Sequence, residues 1–152
     1  MEYRQDPKEH HDQIVQLIKE YIQELHRNLD FQNIEQEYDD LSQKYLPPHG
    51  HLIVAYHQDK AIGCVALHKH NQTRCEMKRL FVKKEYRHLQ IGYQLIQKII
   101  SLAQKDGYQE MVLDTILPLQ NALRLYHHFG FYEIDAYYDN PMDDVIYMKK
   151  DL

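Results

Sequence analysis

The stretch Glu76-Met77-Lys78-Arg79-Leu80-Phe81-Val82, continued by Lys83-Lys84-Glu85-Tyr86-Arg87-His88-Leu89-Gln90-Ile91-Gly92, decides the fold. Cys75 to Val82 reads as a strand, and the basic segment behind it reads as the turn into a helix. After Gly92 the apolar period becomes helical, with Ile91, Leu95, Ile99 and Ala103 on one stripe and Ile96 and Ile100 beside it. Gly107 stands where a helix C-cap belongs, and Met111-Val112-Leu113 follows as a short buried strand. Strand, helix, strand in that order predicts one βαβ crossover whose strands, Cys75–Val82 and Glu110–Asp114, run parallel and whose hand is right.

Upstream, Leu52 to Tyr56 and Ala61 to His70 read as two more strands, antiparallel to each other and to Cys75–Val82, with turns at His57–Lys60 and Asn71–Arg74. Folding about the second turn pairs Cys64 with Phe81 and Cys75 with His70. The sulfurs then lie about 20 Å apart, too far for a bridge, so two free buried thiols are expected. Asp6-Pro7-Lys8-Glu9 carries a helix-start signature, and Ile14, Leu17, Ile18, Tyr21, Ile22 and Leu25 continue it, predicting a helix from Pro7 to Asn28. A second helix is expected over Asn33–Tyr45, stopped by Pro47-Pro48 and Gly50. Downstream, Pro118 opens a helix that Gly130 ends, and Phe131–Ile134 and Val145–Lys149 are final strands. The order α-α-β-β-β-α-β-α-β-β is a mixed α/β fold: a mostly antiparallel sheet with one parallel crossover and helices on both faces, in a single domain over residues 1–152.

Composition narrows the function. With 18 basic and 23 acidic residues and a net charge of −5, the chain lacks the broad basic surface of a nucleic-acid binder. Its longest apolar run, Ala61 to Leu67, falls far short of the roughly 20 residues a membrane span needs. The polar N-terminus shows no secretory signal, so a cytoplasmic protein is expected. Although there are eleven histidines, His10-His11 and His127-His128 are sequence neighbours pointing to different helix faces, and no metal site is expected.

Against this acidic background, Lys78, Arg79, Lys83, Lys84 and Arg87 crowd where the long helix begins, with Glu85 the one acid among them. Free backbone amides and basic side chains at such a point suit a phosphate-bearing ligand. Gly92 is the loop's one glycine, which excludes the dinucleotide fingerprint and the P-loop. Arg87-His88-Leu89-Gln90-Ile91-Gly92 resembles the Arg/Gln-x-x-Gly-x-Gly/Ala signature of GCN5-related N-acetyltransferases (GNAT), which bind acetyl-coenzyme A. Glu76 to Val82 is similar to that family's fourth strand. Asn121-Ala122-Leu123-Arg124-Leu125-Tyr126-His127-His128-Phe129-Gly130-Phe131 is similar to its later Asn…Tyr-x-x-x-Gly-Phe segment. One departure stands out: Gln90 occupies the family's first glycine. At negative φ its N–H would still donate, and the cost would be steric only.

The resemblance implies acetyl-CoA as cosubstrate and acetyl transfer to a primary amine in a ternary complex. It implies that Leu80, Phe81 and Val82 pair with pantetheine, the Leu80 N–H also facing the thioester carbonyl. The amides of Arg87, His88, Leu89, Gln90, Ile91, Gly92 and Tyr93 would hold the pyrophosphate, and Asn121 the pantetheine arm. Glu76 matches the family's base, with His68 and His70 as rivals, and strand alternation puts it on one face with Lys78, Leu80 and Val82. Tyr126 matches the tyrosine that contacts the cofactor and protonates the departing thiolate. Neither cysteine is placed for an acyl-enzyme. Carboxylates and tyrosines in Asp135–Asp144 would favour a cationic acceptor. The partners implied are acetyl-CoA and an amine, without nucleic acid or membrane; a homodimer is left open. Two other readings stand beside this one: a CoA-binding module without transfer, and a histidine-rich metal or interaction domain.

Overall fold

The structure, a computed structural model, describes residues 1–152 apart from the side chain of Asp30. Its elements run β1 (Glu2–Gln5), α1 (His11–Leu25), α2 (Ile34–Asp39), α3 (Ser42–Tyr45), β2 (Gly50–His57), β3 (Lys60–Lys69), β4 (Arg74–Val82), α4 (Ile91–Lys105), β5 (Glu110–Ile116), α5 (Gln120–His128), β6 (Tyr132–Ile134) and β7 (Val145–Asp151). The seven strands form one sheet in the order β1-β2-β3-β4-β5-β7-β6. β4 and β5 are parallel, as expected from the crossover, and every other pair is antiparallel. No helix among the described residues is long and apolar enough to cross a membrane.

Both faces of the sheet are covered, which is why its central strands read as near-continuous apolar runs. On β2, Ile53 and Ala55 join the core beneath Leu95, Ile96, Ile99 and Ala103 of α4, while Leu52, Val54 and Tyr56 join Ile14, Leu17 and Ile18 of α1 on the other face. Gly50, which starts β2, leaves no room for a side chain: a Cβ there would sit 1.8 Å from the Leu67 carbonyl oxygen. The β2–β3 hairpin turns on Gln58 and Asp59, both left-handed, at φ 50° and 63°. Those signs are the ones a two-residue hairpin turn requires.

Four sequence expectations need correction. The N-terminus is a strand: Glu2–Gln5 extends the sheet along β2. Asp6 is no helix cap, because its carboxylate instead accepts from the Leu52 amide at 2.8 Å and from His51 Nδ1 at 2.9 Å. The first helix therefore starts at His11, and it ends at Leu25, where His26 turns left-handed at φ 54°. The second helix is two short ones, broken at Asp40, whose extended backbone (φ −149°) and carboxylate on the Ser42 amide start α3 afresh. In the β3–β4 hairpin Cys64 does face Phe81, but Cys75 faces Lys69 instead of His70. The shift arises at the tip, where Asn71 Oδ1 accepts from the amides of Thr73 and Arg74, and an extra β4 residue near Arg79 cancels it before Phe81. Both thiols are free and buried, as expected.

Candidate active site

The parallel pairing of β4 with β5 lasts from Arg74↔Glu110 to Glu76↔Val112 and then stops, while β4 continues to Val82. Along Met77–Val82 one backbone edge therefore has no strand opposite it, and a cleft opens there. It is lined by Tyr21, Met77, Lys78, Arg79, Leu80, Asp114 and Tyr126. Tyr21 comes from α1 and Tyr126 from α5, on opposite faces of the sheet, so the cleft passes through the gap between the two strands.

A β-bulge shapes the cleft's floor. Arg79 is left-handed at φ 60°, and the β3 register shifts across it. In a regular strand Lys78 and Leu80 share a face; the bulge breaks the alternation. Lys78 and Arg79 both turn to the α1–α2 side with Glu76, whereas Leu80 and Val82 pack against the α4 core. Glu76 thus shares its face with Lys78 but not with Leu80 or Val82, contrary to simple alternation. Arg79 is held by Glu37, Nε to Oε2 at 2.8 Å and Nη2 to Oε1 at 3.0 Å, and its Nη2 also donates to Gln32 at 2.9 Å.

Glu76 is 5% exposed, and both its oxygens are engaged. His70 Nε2–H donates to Oε1 at 2.9 Å, Tyr137 Oη–H donates to Oε2 at 2.7 Å, and Lys78 Nζ stands 3.9 Å away. Because a carboxylate only accepts, His70 must carry a proton on Nε2; in the neutral ring Nδ1 is then the acceptor nitrogen. Burial alone pushes the Glu76 carboxyl up; the His70 hydrogen bond, the Lys78 charge and the Tyr137 hydroxyl overcome it and hold the pKa at about 2. His68 points its Nδ1 at the Lys44 carbonyl, 3.3 Å away, and burial lowers its basicity.

Above the cleft, the loop from Lys83 turns into α4. The amides of Tyr86 and Arg87 are spent on the Lys83 and Lys84 carbonyls, at 2.9 and 3.3 Å. Those of His88, Leu89 and Gln90 meet no protein acceptor among the described residues, and those of Ile91, Gly92 and Tyr93 are the orphan donors of a first helical turn. The Arg87 side chain braces the loop: Nε donates to the Val82 carbonyl at 3.0 Å, and Nη2 reaches Glu24 of α1 at 2.8 Å. Gln90 takes φ 60°, the left-handed conformation a glycine would adopt, so the backbone keeps the glycine's shape at the cost of strain.

Tyr126 is buried with its ring 5.9 Å from Phe131, and its hydroxyl has no hydrogen-bond partner among the described residues. Burial raises its pKa, so the phenol is protonated at neutral pH. Asn121 lies exposed at the start of α5, its oxygen taken by Arg124, and is not among the cleft-lining residues.

Other groups were not visible as site residues in the sequence. Tyr21 looked like one more apolar position on α1. Asp114 could have been noticed as an acid ending the buried run Met111-Val112-Leu113. Its Oδ2 accepts from Tyr138, and the rings of Tyr137, Tyr138 and Tyr147 meet at 5.3 to 5.6 Å. The acidic aromatic loop is therefore tied to the cleft wall through the Tyr138–Asp114 hydrogen bond.

A family model described as Acetyltransferase (GNAT) family matches residues 13–131. An uncharacterized N-acetyltransferase of Schizosaccharomyces pombe is 43% identical over 143 residues, spanning 93% of this chain and 88% of its own. A crystal structure of an acetyltransferase from Streptococcus agalactiae matches with a TM-score of 0.84 at 22% identity, over 99% of this chain and 98% of its own. A GNAT acetyltransferase from Elizabethkingia anophelis, solved with acetyl-CoA bound, matches with a TM-score of 0.60 at 24% identity, over 76% of this chain and 90% of its own. The chain belongs to the GNAT acetyltransferase family. It is an N-acetyltransferase whose cosubstrate is acetyl-CoA.

Proposed function

We propose that the acetyl group passes from acetyl-CoA directly to a primary amine of a small molecule or peptide, within a ternary complex assembled in the β4–β5 gap. The observation that carries this reading is the presence of two sets of backbone groups without a strand or helix partner: the edge of β4 beyond Glu76 that no β5 residue pairs, apart from the Val82 carbonyl held by Arg87, and the amides of His88–Tyr93. The first suits an added pantetheine strand through Leu80, Phe81 and Val82, and the second a diphosphate. Arg87 then acts through its side chain, fixing the loop to Val82 and α1, instead of through its amide.

An alkylammonium must lose a proton before it attacks. With both oxygens held and a pKa of about 2, Glu76 serves as the fixed anion of a pair whose proton acceptor is His70 Nδ1. The amine nitrogen adds to the thioester carbon, and the Leu80 N–H supports the developing oxyanion. As the tetrahedral intermediate collapses, the C–S bond breaks, the thiolate takes the Tyr126 phenolic proton, and the second proton leaving the former amine nitrogen restores the phenol. Two free buried thiols support a reducing, cytoplasmic setting.

The test follows free thiol from acetyl-CoA against a panel of amino acids, polyamines, aminoglycosides and peptide N-termini, with CoA binding measured in parallel by calorimetry. Binding together with amine-dependent thiol release is expected. Binding without release across the panel would favour a CoA-binding module.

A further inference from the structure

Lys78 is a buried cation with poorly fitting partners. Its side chain is 9% exposed and lines the cleft beside Leu80, Asp114 and Tyr126. An ammonium has three N–H donors. Among the described residues, Nζ reaches one hydrogen-bond acceptor, Gln32 Oε1, at 3.5 Å, and stands 3.9 Å from Glu76. Glu76 has little more to give, because His70 and Tyr137 hold its oxygens at 2.9 and 2.7 Å. The neighbouring Arg79 shows what a satisfied buried cation looks like here, with three bonds between 2.8 and 3.0 Å. A charge removed from water with loose partners is costly, and burial accordingly depresses the Lys78 pKa.

The same cleft holds a carboxylate with unspent capacity. Asp114 accepts from the Tyr138 hydroxyl and meets no cation in a salt bridge among the described residues. The cleft thus presents one under-satisfied positive group, on β4, and one under-satisfied negative group, on β5. A polyamine or other plain cation could use Asp114, but it would leave Lys78 uncompensated and approach it against like charge. A molecule carrying an ammonium and a carboxylate a few bonds apart satisfies both.

We propose that the acceptor is a zwitterion of the α-amino-acid type, its carboxylate bound by Lys78 and its amine led past Asp114 to the acetyl carbon. This rests on the transferase reading above and narrows its acceptor. After the ammonium gives up one proton to the base, the N–C bond forms, the C–S bond breaks, a second proton leaves the nitrogen as the thiolate gains one, and the products are an N-acetylamino acid and CoA. Lys78 binds the acceptor and takes no part in moving the proton.

The experiment compares matched pairs in the thiol-release assay at neutral pH: leucine with isoamylamine, phenylalanine with phenethylamine, and each amino acid with its methyl ester. In the wild-type protein at least one acid is expected to exceed its uncharged-carboxyl partners in kcat/KM by about tenfold or more, as loss of a buried charge pair implies. Lys78→Met is expected to bring that ratio close to one without changing the KM for acetyl-CoA. The ester comparison needs no variant, so a Lys78→Met protein that fails to fold does not shield the proposal. Equal or faster turnover of the amines and esters overturns the zwitterion assignment while leaving the transferase reading intact. Absence of release from every one of these compounds overturns the zwitterion assignment, and absence from the wider panel of polyamines, aminoglycosides and peptide N-termini as well overturns both.

Discussion

Glu37 on α2 grips Arg79 in the β4 bulge with both carboxylate oxygens, at 2.8 and 3.0 Å, across 42 residues of sequence. Tyr45 Oη at 2.8 Å and Lys44 Nζ at 3.3 Å complete the carboxylate's shell. The pair fastens the α2–α3 segment to the left-handed residue that directs Leu80 toward the cleft. Breaking it strands a buried charge, a loss of about 3–5 kcal/mol. Urea unfolding of Glu37→Gln and Arg79→Met should each show a loss of that order, and the double variant Glu37→Leu/Arg79→Met should recover part of it. Single variants as stable as the wild type would show that the pair does not hold the bulge.

The same carboxyl predicts a pH window. Burial raises the Glu37 pKa, but the hydrogen bond and charge of Arg79 outweigh it, so that the value falls from 4.5 to about 2. A depressed carboxyl contributes stability above its unfolded pKa and loses it as pH falls toward the folded one. Wild-type stability should therefore drop between about pH 4.5 and pH 2, and Glu37→Gln should drop less steeply over that interval in acid titrations followed by circular dichroism. Glu76 titrates in the same window, so removal of Glu37 flattens the slope without abolishing it.

His51 gives the opposite sign. Its Nδ1 faces Asp6 at 2.9 Å and its Nε2 faces Asp106 at 2.6 Å, joining the end of β1 to the C-terminus of α4. Both nitrogens donate only when the ring is a cation. The hydrogen bond to Asp6 raises its pKa, with Asp106 adding to it against the burial penalty. The clamp is complete below the ordinary histidine pKa of 6.5 and is lost as pH rises through the elevated value. His51→Gln should cost about 1.5–3 kcal/mol at pH 6 and distinctly less at pH 9. A cost independent of pH would mean that the ring is held as a neutral group.

Much of the frame could be read in advance because it depends on neighbours in sequence. The Ile91–Ala103 stripe, Gly107 behind it and the apolar strands on either side each signal locally, and together they fix the crossover. What stayed hidden depends on distant partners. Glu2–Gln5 is polar and becomes a strand only because β2 offers it an edge. The bulge is carried by an arginine instead of a glycine, so nothing in Lys78-Arg79-Leu80 announces that alternation fails there. Lys78 and Glu76 consequently pointed correctly while Leu80 and Val82 did not. For the site, the loop's position was legible from charge and glycine placement, but which amides remain unspent was not. That depended on the Lys84–Tyr86 turn consuming the Arg87 amide.

Gln90 tests the cradle directly. Its φ of 60° is a conformation that disfavours a side chain by roughly 1 kcal/mol. Gln90→Gly should leave CoA affinity unchanged or tighter and raise stability by up to about 1 kcal/mol, offset in part by the flexibility glycine adds to the unfolded chain. Gln90→Val, branched at Cβ and ill-suited to positive φ, should weaken CoA binding in calorimetry. Equal affinity across glutamine, glycine and valine would show that this amide does not touch the diphosphate.

The Glu76–His70 pair makes a prediction that neither residue makes alone. If Glu76 fixes the Nε2–H tautomer while His70 Nδ1 accepts the proton, the two substitutions remove one function between them. Glu76→Gln and His70→Asn should each lower kcat by about 10²–10⁴-fold with CoA affinity intact. The double variant should be little worse than the worse single, because residues acting as a unit are not additive. Tyr137→Phe, which removes a hydrogen bond to Glu76 but leaves the pair, should fall between these and the wild type. Multiplicative losses in the double variant would instead assign the two residues separate roles, with Glu76 taking the proton through water and His70 merely packing beside it.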